Sequence, residues 1–152
     1  MLSSLQIIRR RKNMQIDEDV LRLIIRQENI VLIGSVSPEG IPNISPRYVL
    51  DIIRNEKLLF ADAFENKTFH NIASWPKVAV AVFDKDAKGG GYQLKGQAEE
   101  VVDLELIKHA EAKLKEFGID SVPKKVWLFS LKETYSLLPS AKSRQPLSFT
   151  YG

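Results

Sequence analysis

Residues 58–83 read LLFADAFENKTFHNIASWPKVAVAVF, and the fold turns on how this stretch is divided. Residues 58–63 read as a strand opening on the apolar run Leu58, Leu59, Phe60 and Ala61, and residues 78–83 form a second. Between them Asn66 stands where a helix N-cap belongs. Trp75 and Pro76 close that helix, because the residue before a proline is pushed out of helical geometry. The order is therefore strand, turn, short helix, strand. A helix opening on Asn66 leaves its first backbone N–H groups without intrahelical partners, and Lys67 and Thr68 add a charge and a hydroxyl at the same place. That combination reads as a seat for an anion.

Toward the N-terminus, Asp17 is placed to cap a helix with Glu18 and Asp19 in its first turn and Val20, Leu21, Ile24 and Ile25 as its apolar stripe, ending near Glu28. Residues 30–36 then read as a buried strand, 37–40 as a tight turn and 41–52 as the hairpin partner. Arg54, Asn55 and Glu56 make the next turn. Within 41–52, Asn43, Ser45 and Arg47 share one face, while Pro42, Ile44, Pro46, Tyr48 and Leu50 share the other. Prolines remove ladder donors and belong at edges or bulges, so this strand offers either a surface for a flat ligand or simply a wet polar face.

Toward the C-terminus, residues 84–90 are a polar loop. Residues 91–101 alternate Tyr92, Leu94, Gly96 and Ala98 against Gln93, Lys95, Gln97 and Glu99, as a half-exposed strand does. Asp103 caps a long helix striped by Leu104, Ile107, Ala110, Leu114 and Phe117, with Gly118 placed to end it, and 126–138 supply a sixth strand. Trp75 and Trp127 read as core. Six strands joined mostly by short hairpins predict a mainly β protein with a few helices, a small antiparallel barrel rather than a doubly wound parallel sheet.

The 152 residues suit one domain, and a chain of this size buries about 68–70% of its unfolded surface. No cysteine is present, which removes disulfides, thiolate nucleophiles and Cys-based zinc or iron–sulfur sites, so redox chemistry would have to come from a cofactor. No run approaches the roughly 18 apolar residues of a membrane span. Arg9, Arg10, Arg11 and Lys12 supply four of the 22 basic residues, which leaves 18 against 19 acidic ones elsewhere, so the body is not a nucleic-acid platform. Residues 1–13 are expected to be a disordered basic extension, with Met14 as an alternative start. Residues 14–138 are the barrel, and 139–152 are a polar tail placed to lie on a partner subunit. The extension does not match a secretory signal, and a cytoplasmic location is expected.

His70 and His109 have no second ligand at metal spacing, so no metal site is expected. No nucleophile elbow surrounds any serine, and Gly89, Gly90 and Gly91 fit neither a dinucleotide fingerprint nor a Walker loop.

Taken in order, several features resemble the FMN-binding split-barrel family related to pyridoxamine 5′-phosphate oxidase. They are the Gly40 turn with Pro42 to Pro46, the strand ending Phe60, Ala61, Asp62, the helix from Asn66 to Asn71, the Trp75-Pro76 strand entry, and Gly91-Tyr92 through Gly96. The resemblance covers roughly residues 17–138. It implies a six-stranded Greek-key split barrel and a homodimer with one FMN per subunit at the interface. It also implies an oxidoreductase or electron carrier working with a small-molecule or protein redox partner. By position, Lys67 and Thr68 would hold the phosphate with Asn66 and Asn71 close by; Ser45, Pro46 and Arg47 would line the flavin; Ala61, Asp62 and Ala63 would face the ring edge; Gly91 and Tyr92 would complete the site. The chain departs from the true oxidase in having no histidine after His109, which argues against vitamin B6 oxidation. Asn66 replaces an arginine that often precedes the phosphate lysine, and glycines replace a polar pair before strand five, which lowers the expected FMN affinity and leaves room for a different flavin. The same fold binding haem or a deazaflavin is the second reading. A flavin-free barrel gripping nucleic acid through residues 9–12 is the alternative from another class.

Overall fold

The computed structural model describes residues 14–86, 90–138 and 145–149, so the basic extension lies outside the described residues, as does most of the C-terminal tail. Its elements are α1 (Glu18–Arg26), β1 (Ile30–Val36), β2 (Pro42–Tyr48), β3 (Asp51–Ile53), β4 (Lys57–Asp62), α2 (Lys67–Ser74), β5 (Lys77–Asp84), β6 (Gly90–Glu100), α3 (Leu104–Glu116), β7 (Lys125–Ser136) and β8 (Ser148–Phe149).

The strands form one antiparallel sheet in the order β2-β1-β5-β6-β7-β4-β3, with the two-residue β8 pairing β7. The two edge strands of that order, β2 and β3, are separated in the chain only by Val49 and Leu50, so the sheet must curl until its edges meet. β2 pairs with β1 alone, and β4 pairs with β7 and β3, which leaves a split between β2 and β4. This is a split barrel, mainly β, with seven strands on the path where six were expected. The difference lies in 41–52: Val49 exchanges two hydrogen bonds with Asn29, at 2.7 and 2.9 Å, and the Leu50 amide donates to the Leu59 carbonyl at 2.8 Å. These long-range bonds break one predicted strand into two.

The β3–β4 hairpin turns through Arg54, Asn55 and Glu56; the first two have positive φ (53° and 58°), and the Glu56 amide donates to the Ile53 carbonyl at 3.0 Å. β4 is buried on both faces, which is why its sequence reads as a continuous apolar run. Leu58 and Phe60 enter the main core with Val20, Ile24, Val31, Val80, Leu94 and Phe129. Leu59 enters a second core with Leu50, Val126, Ala110 and Leu114 beneath α3. Trp127 is core, as expected. Trp75 is not: it is the C-cap of α2, 49% exposed, with the Lys77 ammonium 5.2 Å from its ring centroid. No helix among the described residues is long and apolar enough to cross a membrane.

Candidate functional site

The site is built where α2 begins, at the split. Asn66 is the N-cap of α2, and its side-chain oxygen accepts from the Phe69 amide at 2.9 Å, as the sequence predicts. The same oxygen also accepts from Arg47 Nη2 at 3.2 Å, so β2 grips the helix by its cap. Arg47 Nε donates to Asp62 Oδ1 at 2.9 Å across the split, and Nη1 donates to Ser45 Oγ and the Pro46 carbonyl at 3.1 and 2.7 Å. Asp62 is buried, and its other oxygen accepts from Trp127 Nε1 at 2.9 Å. Trp127 in turn meets the Phe69 ring edge-on, with centroids 6.4 Å apart. These contacts close a circuit from α2 through β2, β4 and β7 back to α2.

Thr68 is also buried. Its hydroxyl lies 2.6 Å from Ser45 Oγ and accepts from Asn43 Nδ2 at 3.1 Å, so the polar face of β2 is packed against α2 rather than solvated. Of the first helical amides, that of Phe69 is capped and that of His70 donates to the Asn66 carbonyl at 3.1 Å. The amides of Lys67 and Thr68 have no partner among the described residues, and Lys67 is exposed beside them. Arg47 has five N–H donors and uses four. The donors left over are two amides, an ammonium and one guanidinium N–H, which is a set suited to an oxyanion such as a phosphate monoester.

Ser45, Pro46, Arg47, Asp62, Asn66, Lys67 and Thr68 are thus brought together, with Ala61 and Ala63 flanking Asp62. Asn71 is buried one turn further along and donates to Ser35 Oγ at 3.1 Å, anchoring α2 on β1 rather than pointing to the helix mouth. Gly91 and Tyr92 are not brought to this cluster within the chain. They lie on β6, the third strand from β2 in the sheet, and Tyr92 lines a cleft with Asp17, Asp19, Arg22 and Leu147. Gly91 has φ +139°, and a Cβ there would sit 2.2 Å from the Val82 carbonyl oxygen, so close strand packing alone requires glycine. Sequence reasoning missed Asn43 as a site residue, although it shares the alternation of Ser45 and Arg47. It also missed Trp127 as the partner of Asp62, for which no local signal exists.

An antiparallel split barrel with an oxyanion-ready helix mouth at its opening defines the class. The family model of pyridoxamine 5′-phosphate oxidase matches residues 17–137, and the chain belongs to that family. An uncharacterised protein of Methanocaldococcus jannaschii is 35% identical over 113 residues, covering 73% of this chain and 74% of its own length. Among solved structures, HupZ of Group A Streptococcus superposes with TM-score 0.71 at 22% identity, covering 84% of this chain and 98% of that one. An FMN-binding protein of Syntrophomonas wolfei does so with TM-score 0.68 at 17% identity, covering 88% and 87%. A haem-binding protein of Mycobacterium smegmatis, covering 81% of this chain and 55% of that one, and an F420 reductase, covering 78% and 98%, share the fold at 17% identity, with TM-scores of 0.60 and 0.61.

Proposed function

We propose that the protein binds FMN at the split between β2 and β4, with the flavin phosphate on the mouth of α2, and serves as an oxidoreductase or electron carrier. The observation that carries this reading is the leftover donor set: the Lys67 and Thr68 amides, the Lys67 ammonium and one Arg47 N–H belong to residues at the N-terminal end of α2, where the helix dipole is positive. The family and the FMN-binding relative of the same fold support it. The isoalloxazine would supply the electron chemistry; this chain's residues bind and orient it.

A homodimer with the flavin at its interface belongs to this proposal. The outer face of the sheet supports it: Ile44, Gly34 and Ala79 line up across β2, β1 and β5, and Ile44 is 71% exposed over a cleft of about 580 Å³. A second copy would cover this apolar surface. Ile44→Lys is expected to shift the protein toward monomer in sedimentation velocity; an unchanged dimer would move the interface elsewhere.

The direct test is titration of purified protein with FMN, followed by its visible spectrum. Lys67→Ala is expected to weaken FMN binding about two- to fivefold, and Lys67→Glu more, without changing the melting temperature. Protein that ignores FMN at concentrations far above cellular levels ends the reading. A haem spectrum, or selective binding of a deazaflavin, would instead align the chain with the haem-binding or F420-reductase proteins of this fold.

A further inference from the structure

We propose that Asp62 governs how long the anionic ligand stays: by holding the Arg47 guanidinium, it keeps the seat near one net positive charge and leaves the phosphorylated flavin exchangeable. This rests on the flavin reading above.

Both oxygens of the Asp62 carboxylate are fixed, one by Arg47 Nε and one by Trp127 Nε1, each at 2.9 Å, and the side chain is only 2% exposed. Such a contact cannot trade places with water, so it offsets the guanidinium charge continuously. Arg47 itself is 17% exposed and gives three of its remaining donors to Ser45, Pro46 and Asn66. A side chain so committed offers a ligand one N–H and no two-pronged grip. The Thr68 hydroxyl and the Asn66 cap oxygen are likewise committed within the protein. What faces the ligand with its charge uncompensated is Lys67. A phosphate monoester carries about −1.5 to −2 charges at neutral pH, more than this seat neutralises. The internal satisfaction that weakens the grip also leaves no buried side-chain group of the site waiting on a ligand for its hydrogen bonds. A site that is stable empty and under-neutralised when filled is suited to a ligand that arrives and departs.

The test uses the full chain and four proteins: wild type, Asp62→Asn, Arg47→Gln and the double variant. Each is titrated with FMN and with riboflavin, which lacks the phosphate, and FMN release is followed after dilution. Melting curves and tryptophan fluorescence report folding. Asp62→Asn keeps an acceptor for Trp127 while removing the negative charge. It is expected to tighten FMN about tenfold, the size of one partly screened charge interaction, and to slow release, with a clearly smaller shift for riboflavin. Arg47→Gln is expected to weaken FMN. The double variant restores the net charge of the wild type and should bind FMN within about threefold of it. Equal or weaker FMN binding by folded Asp62→Asn overturns the inference, as does an equal shift for riboflavin, which would mark a merely structural role. If either single variant fails to fold, the double variant decides: binding within about threefold of wild type supports the offset, and weaker binding refutes it. A wild type that binds FMN while Asp62→Asn gains nothing sinks this inference alone; a wild type blind to both flavins sinks the flavin reading and this with it.

Discussion

Among the side-chain pairs that tie elements of this barrel together, Asp62 with Arg47 and Asp51 with His109 are built differently. Asp62 and Arg47 meet across the split at 2.9 Å with side chains 2% and 17% exposed, and Trp127, Ser45, Pro46 and Asn66 take up further donors and acceptors. Asp51 on β3 and His109 on α3 meet at 2.6 Å with side chains 35% and 41% exposed. The first pair is woven into four elements and shapes the mouth of α2. The second clips one helix to one short strand at the surface. The comparison teaches that proximity of opposite charges decides little here; burial and the number of additional partners decide whether a pair builds a site.

The largest expected effect breaks the buried pair. Asp62→Ala leaves the Arg47 guanidinium without its counter-charge and Trp127 without its acceptor, and should cost about 3–5 kcal/mol of stability by urea denaturation. His109→Ala, by the same measurement, should cost about 0–1 kcal/mol, since water replaces the lost partner at an exposed site. Similar losses for the two variants would erase the distinction.

A smaller effect sharpens it. Asn66→Ala removes the cap of α2 and the acceptor for Arg47 Nη2 while leaving the Asp62 pair intact. The expected loss is about 1 kcal/mol, typical of an N-cap. A loss as large as that for Asp62→Ala would mean that the cap, not the buried pair, is the keystone of the split.

The parts of this site legible in the sequence are those made by neighbours along the chain. Asn66 capping Phe69 is a bond three residues long, and residue type and position sufficed to place it. The alternation of Asn43, Ser45 and Arg47 exposed a polar face, yet whether it was wet or packed depended on α2 arriving 23 to 25 residues later. Trp127 reaches Asp62 from 65 residues away, and nothing near either residue announces the pairing. The same holds for the fold. The run from Leu58 to Ala61 marks a strand by itself, whereas the break after Tyr48 is imposed by Asn29 and Leu59. Trp75 shows the opposite failure, where a residue type suited to the core stands at a helix end that faces outward.

The mildest prediction concerns acid. Burial of Asp51 by itself would raise its pKa, but the His109 hydrogen bond, the Ile52 amide at 2.7 Å and the positive charges of His109 and Lys113 outweigh it and hold the carboxyl below its ordinary 3.8. A carboxylate whose folded pKa is depressed contributes stability that is fully present above the unfolded value and is lost as pH falls through the folded one. The contribution of Asp51 should therefore be intact at neutral pH and vanish only below about pH 4, with the unfolded carboxylate near 3.9. Asp51→Asn should lower stability slightly at pH 7, and its curve should converge on that of the wild type as the pH drops below 4, because the protonated acid no longer attracts His109. Half exposure limits the gap to a fraction of that for Asp62. A gap that stayed constant down to pH 2 would show that Asp51 acts through its amide contact and packing, and would leave Asp62 and Arg47 as the one pair of the two held by charge.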